Sequence, residues 1–197
     1  MIKGWHDWVG TFTGAVFITV AVLPLAVLAV WALAWRRRAT GATPAWALRR
    51  SLAEVGIVYG TVPSVWLTLL PGSRAGTAPG RVSLIPLRDL ITILTHDGPA
   101  GAALQIVGNL LVFAALGFFG PMRFEKLASV PRILALAAGC SILIETAQYV
   151  LQLDRVSSVD DVLLNTAGAG LAALASRHWW RTGAGASSSL PRAAIER

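Results

Sequence analysis

From Trp8 to Trp35 the chain runs 28 residues without one charged side chain. About 20 predominantly apolar residues suffice for a helix to cross the hydrocarbon core of a bilayer. In lipid every backbone N–H and C=O must be satisfied inside the segment, so a run of this kind folds as a membrane helix. It is not a signal peptide, which carries its positive charge before a shorter apolar core. Here Arg36, Arg37 and Arg38 follow the apolar run. Arginines collect on the cytoplasmic side, so this order puts the N-terminus outside.

The rest of the chain repeats the theme. Hydrophobic residues make up 55% and charged residues 14%, with a mean hydropathy of +0.62, against about 25% charged residues in a soluble domain. A second span covers about Ser51 to Leu70, with Pro63 inside it and Pro71–Gly72 after it. Glu54, near its inner end, is placed to snorkel or to pair with Arg50 one turn earlier. A polar connection, Ser73 to Asp97, holds Leu87, Leu90, Ile91 and Leu94 at the spacing of one helix face. Arg88, Asp89, Thr92 and Thr95 face elsewhere, and Pro86 suits the first turn, so a short amphipathic helix is expected at the membrane surface. Further spans are expected over Gly101 to Phe119, Ile133 to Leu151 and Val159 to Ser176. The fold class is therefore all-α: a polytopic membrane helix bundle of about five transmembrane helices plus a short amphipathic interfacial helix. Residues 182 onward, rich in Gly, Ala, Ser and Pro, are expected to be disordered.

Charge orients the bundle. With the N-terminus outside, the cytoplasmic segments hold 12 Lys and Arg and the outer ones 5, the bias expected of a membrane protein with a cytoplasmic C-terminus. Tryptophans mark the interfaces: Trp5 and Trp8 outside, Trp31, Trp35, Trp179 and Trp180 inside. The net charge of +7 belongs to these loops rather than to a stripe for nucleic acid, which is not expected as a partner. The single Cys140 forms no intrachain disulfide, and the three histidines share no ligand spacing. No metal and no cofactor are expected.

An ionisable side chain within a span costs roughly 2.5–3.5 kcal/mol near its centre, so each one asks for a reason. Ser141, Glu145, Gln148 and Gln152 lie on one face of the fourth span. Asp161 and Asn165 lie on one face of the fifth, and Gln105 and Asn109 one turn apart on the third. All of these fall towards the outer leaflet, where lipid satisfies none of them, so they are expected to face one another. Arg155 in the outer turn and Arg81 in the outer loop are candidate counter-charges. Asp160 and Asp161 each follow a serine by three residues, a capping-box-like pattern. Asn109 and Asn165 have a plainer role as glue between helices, and Gly168 and Gly170 suit close packing. Glu145 has no such structural explanation.

These residues resemble a family. Asn109–Gly117 (NLLVFAALG), Ser141–Gln148 (SILIETAQ) and Arg155–Gly168 (RVSSVDDVLLNTAG) look like the signature blocks of the VanZ-like membrane proteins, in the right order. Val82–Leu87 (VSLIPL) is a weaker fourth block. The chain departs from the pattern at Ser83, Leu87, Ala115, Ser157 and Ser158. It retains Asn109, Glu145, Gln148, Arg155, Asp160, Asp161 and Asn165. The resemblance covers residues 81–177 and implies a bacterial inner-membrane protein of a family named for a member that gives low-level teicoplanin resistance. It divides the chain into a two-span segment with a basic cytoplasmic loop (1–80), a VanZ-like domain (81–177) and a cytoplasmic tail (178–197).

Three functions compete. The first is a non-enzymatic protein acting at the outer leaflet, with Glu145, Gln148, Asp160, Asp161, Asn165, Asn109, Arg155 and Arg81 forming an outward-facing polar pocket. That pocket would bind a lipid headgroup or an amphiphile, such as a lipid-linked envelope precursor or a lipoglycopeptide. The second is a lipid-modifying or metal-assisted hydrolytic enzyme using Glu145 and Asp161, although no Ser–His or Cys–His arrangement supplies a nucleophile. The third is a structural or ion-coupled transport component. Membrane lipids are expected partners in every case, and small residues in the last span suit a homo-oligomer.

Overall fold

The structure is a computed structural model that describes residues 12–77, 80–96 and 98–180. The expectations for Lys3, Trp5, Trp8, Arg181 and the tail beyond fall outside those residues.

The uncharged N-terminal run forms α1, Phe12–Ala39, which passes through Pro24 and carries Arg36, Arg37 and Arg38 in its last turn. Those cations suit the partial negative charge of a helix C-terminus. A short turn leads to α2, Pro44–Thr68, where Pro44 occupies the first turn and Pro63 lies inside. A long connection follows, with strand β1 (Arg81–Ser83) and α3 (Arg88–His96). The amphipathic helix is thus present, with Ile91 and Leu94 exposed, and Pro86 lies in the turn just before it.

The third apolar run is not one helix. It divides at Phe113 into α4 (Gly98–Val112) and α5 (Ala114–Arg123). Phe113 leaves helical geometry at φ −113°, ψ 12°, and its side chain is buried in the core beside Val112, Ile133 and Ile144. Pro121 lies inside α5 rather than ending it. Then α6 (Val130–Val150) returns across the bundle, strand β2 (Val156–Ser158) follows the turn, and α7 (Val159–Trp180) is the last described element. It runs four residues beyond the expected end at Ser176.

Three segments are long and apolar enough to cross a membrane: Thr13–Ala39, Gly98–Arg123 and Val130–Val150. The helices α2 and α7 match them in length but are less apolar, carrying Arg49, Arg50 and Glu54 in one case and Asp160, Asp161 and Asn165 in the other.

Small residues set the packing. A Cβ on Gly168 of α7 would run into the backbone carbonyl of Leu110 in α4, and one on Gly117 of α5 into that of Ala169 in α7. The backbones of the divided helix therefore touch α7 on both sides of the break. Helix α1 stands apart from this core and packs on α2. Tyr59 donates a hydrogen bond to the Thr19 carbonyl at 2.8 Å. Arg37 reaches from α1 to Glu54 at 2.5 Å, and Arg123 of α5 approaches the other oxygen of Glu54 at 2.5 Å. Glu54 thus pairs with residues from two other helices rather than with Arg50, which stacks over Trp46 instead. Tertiary ion pairing has won over the local i, i+4 option.

One feature was not foreseen from the sequence. Strands β1 and β2 form a parallel ladder with Arg81 opposite Val156, Val82 opposite Ser157 and Ser83 opposite Ser158. The ladder joins the connection after α2 to the turn between α6 and α7, and so positions the polar residues there.

Candidate functional site

Glu145 is buried in the last turns of α6, with 8% of its surface exposed. Its Oε2 accepts the backbone N–H of Ser158 at 2.9 Å, while its own carbonyl accepts the Ser157 hydroxyl at 2.9 Å. The carboxylate therefore reads the end of β2, whose position the ladder with β1 fixes. Among the described residues its second oxygen accepts no hydrogen bond.

Ser158 is the node of the cluster. Besides giving its N–H to Glu145, it donates its hydroxyl to Asp89 Oδ2 at 2.5 Å and accepts the Asp160 N–H at 3.1 Å. The last of these is an N-cap for α7. Asp160 turns away from its own helix. Its Oδ1 accepts the Leu87 N–H at 2.5 Å and its Oδ2 the Leu90 N–H at 3.0 Å. It is the N-cap of α3 supplied from another part of the chain, since Leu87 at the cap position has no side-chain oxygen of its own. Leu87 adopts φ +66° there, a region uncommon for a non-glycine residue.

Two further bonds tie the helices together. Asn109 of α4 donates to Asp161 Oδ1 at 2.5 Å, and Asn165 of α7 donates to the Ser141 hydroxyl of α6 at 2.8 Å. Four acids, Asp89, Glu145, Asp160 and Asp161, gather at this end. The charge of Asp161 acts on Glu145, and those of Asp89 and Asp160 act on Asp161. Among the described residues no three His, Cys, Asp or Glu side chains are arranged to hold a metal ion.

The two arginines lie at the edge. Arg155 is exposed and donates through Nε to the Leu70 carbonyl at 3.2 Å. Among the described residues it makes no ion pair with Glu145 or Asp161, though its charge acts on both. Arg81 stands 3.9 Å from Asp154. Asp154 also accepts the backbone N–H of Arg74 at 3.1 Å and its guanidinium at 3.3 Å. Desolvation pushes the Asp154 carboxyl up, but the two bonds from Arg74 and the nearby charges of Arg74 and Arg81 outweigh it. The group is held below the ordinary carboxylate range.

Gln148 donates to the Thr68 carbonyl at 2.8 Å, fastening the end of α2 to α6. Gln152 and Gln105 are exposed and stand outside the network. Two acceptors are left over. The amide oxygens of Gln148 and Asn165 are buried and have no partner among the described residues, while the residues themselves are 5% and 2% exposed. A buried acceptor without a donor costs about 1–3 kcal/mol.

The structure thus joins Asn109 to Asp161 and places Glu145, Asp160 and Asp161 in one acidic cluster. It puts Gln148 and Asn165 on the adjoining buried faces, and Arg155 and Arg81 on the rim. Asp89 and the backbone of Ser158 were missed in the sequence. Asp89 follows the expected polar face of the amphipathic helix, so nothing local distinguishes it from a solvated acid. The faint signal is that Val82 and Val156 each precede a serine in short extended-compatible stretches, which is the ladder that brings Asp89 to Ser158.

The sequence model of the family described as VanZ/LLP1 matches residues 57–180, from the middle of α2 to the end of α7 and more than half of the chain. No curated protein and no solved structure matches.

Proposed function

We infer the function from one premise: the chain belongs to the VanZ/LLP1 family, a family of membrane proteins connected with glycopeptide resistance. In this reading the protein lies in the bacterial inner membrane. Its N-terminus is outside, its C-terminus is cytoplasmic, and α2 and α7 cross together with the three more apolar segments. The Glu145 cluster then faces the outer leaflet, and it binds the headgroup of an envelope lipid or of a lipid-anchored amphiphile such as a lipoglycopeptide. The protein acts by binding, without catalysing a reaction.

The observation that carries this reading is an excess of buried acceptors. The amide oxygens of Gln148 and Asn165 are buried and lack donors among the described residues, and Gln148 lies within one turn of the buried Glu145 carboxylate on α6. Groups of this kind in a native protein call for a partner. A headgroup that offers amine or hydroxyl donors would supply it. The carboxylate adds a preference for positive charge.

The test is a pair of near-isosteric substitutions. Glu145→Gln and Asp161→Asn, at expression equal to the unaltered protein, are expected to lose most of the effect in a glycopeptide susceptibility assay. They are also expected to weaken binding of the amphiphile to purified protein by at least tenfold. Full activity in both variants would end this reading.

A further inference from the structure

Two cavities lie away from the Glu145 cluster. One is a groove of about 630 Å³ between α1 and α2. It runs from Ile18 to Leu33 on one helix and from Glu54 to Trp66 on the other, and its walls are apolar apart from a few polar atoms. The other is a basic pocket of about 570 Å³ whose rim includes Arg50, Arg123 and Lys126. A single ion pair separates them. Glu54 ends the groove, Arg123 walls the pocket, and the two are 2.5 Å apart.

The surroundings of that ion pair are strongly positive. Glu54 is matched twice, by Arg37 and Arg123, so it offers no further charge to its neighbours. On the pocket rim Arg50 and Lys126 make no ion pair among the described residues. An apolar groove that adjoins a pocket rimmed by Arg50, Arg123 and Lys126 matches a molecule with a hydrocarbon tail and an anionic head. Guanidinium groups bind phosphate oxygens with paired, charge-assisted hydrogen bonds. From Ile18 to Leu33 the groove measures about 22 Å at ~1.5 Å per residue, longer than the roughly 15 Å of hydrocarbon in one leaflet. A second copy of the chain is a poor occupant, because it would bring the same arginines face to face.

We propose that the α1–α2 groove and the adjoining basic pocket bind one anionic glycerophospholipid of the inner leaflet, with an acyl chain along the groove and the phosphate on the arginine rim. This site is at the opposite end of the bundle from the Glu145 cluster and does not involve it, while its assignment to the inner leaflet rests on the topology proposed above. Its occupant joins α1 to the rest of the molecule, since α1 otherwise packs on α2 alone apart from weaker contacts.

The full chain, purified in detergent, is titrated with phosphatidylglycerol and with phosphatidylcholine of the same acyl chains, and bound lipid is counted by native mass spectrometry. Phosphatidylglycerol is expected to bind at the lower concentration. Arg50→Gln with Lys126→Gln is expected to reduce that affinity by roughly thirtyfold, at about fivefold per basic residue near an anionic lipid, and to leave phosphatidylcholine unchanged. Lys126 is exposed and Arg50 half-buried, and neither makes an ion pair among the described residues, so the fold does not rest on them. Ala29→Phe, or the milder Ala26→Leu, fills the groove and is expected to weaken both lipids. Equal affinity for the two lipids overturns the proposal. So does an undiminished phosphatidylglycerol preference after the Arg50 and Lys126 substitutions, or undiminished binding in both groove variants.

Discussion

Asp160 serves a helix to which it does not belong. The serine–acid spacing around residues 157–161 points to a local cap, and half of that is present, since Ser158 caps α7. The Asp160 carboxylate instead takes two N–H groups of α3, about seventy residues away in sequence. No spacing rule reaches that far, because the pairing depends on the register of β1 against β2. Glu145, by contrast, was legible as soon as a carboxylate stood alone in an apolar helix. Only its partner was hidden, a backbone N–H that carries no mark in the sequence. Asp160→Ala should expose this arrangement directly. A lost N-cap costs about 0.5–2 kcal/mol, so amides of residues 87–90 are expected to exchange with deuterium roughly fivefold faster, while Asp160→Asn keeps part of the protection. Unchanged exchange in the alanine variant would show that α3 is capped by something else.

The helices were legible in kind and nearly in extent. The uncharged runs and their flanking Gly, Pro and Arg residues mark the long helices α1, α2, α6 and α7, although α2 begins at Pro44 rather than at the expected Ser51 and the third run divides in two. Two features were not legible. The break at Phe113 has no proline or glycine at the position, and the β1–β2 ladder is too short to show a strand period. Both depend on contacts between elements. The close approach of α7 to α4 and α5 is the most sensitive of these contacts. Gly168→Ala forces a methyl group against the Leu110 carbonyl and is expected to destabilise the protein by about 1–3 kcal/mol, seen as a lower midpoint of thermal unfolding in detergent. Gly139→Ala is the matched control. It lies in α6 with nothing within 4 Å of the added carbon, so its better helix propensity is expected to leave the midpoint unchanged or slightly raised.

At the scale of the molecule, the family match begins within α2, so α1 and the arginine turn stand outside it. Whether α2 crosses the membrane decides which way every later loop faces. In a Cys140→Ser background, Ala75→Cys is expected to react with a membrane-impermeant maleimide added to cells, and Ala42→Cys is not. The reverse pattern, or labelling of both positions, would dismantle the proposed topology. The bond between Ser158 and Asp89 spans 69 residues of sequence, and this has a consequence for how the protein is made. At about 5–20 residues per second of synthesis, Asp89 waits roughly 3–14 s in the nascent chain before Ser158 has even been translated. Glu145 meets the same delay on a shorter scale, since Ser158 follows it by 13 residues. The acidic cluster is therefore completed late, only after nearly the whole of the described chain has been made.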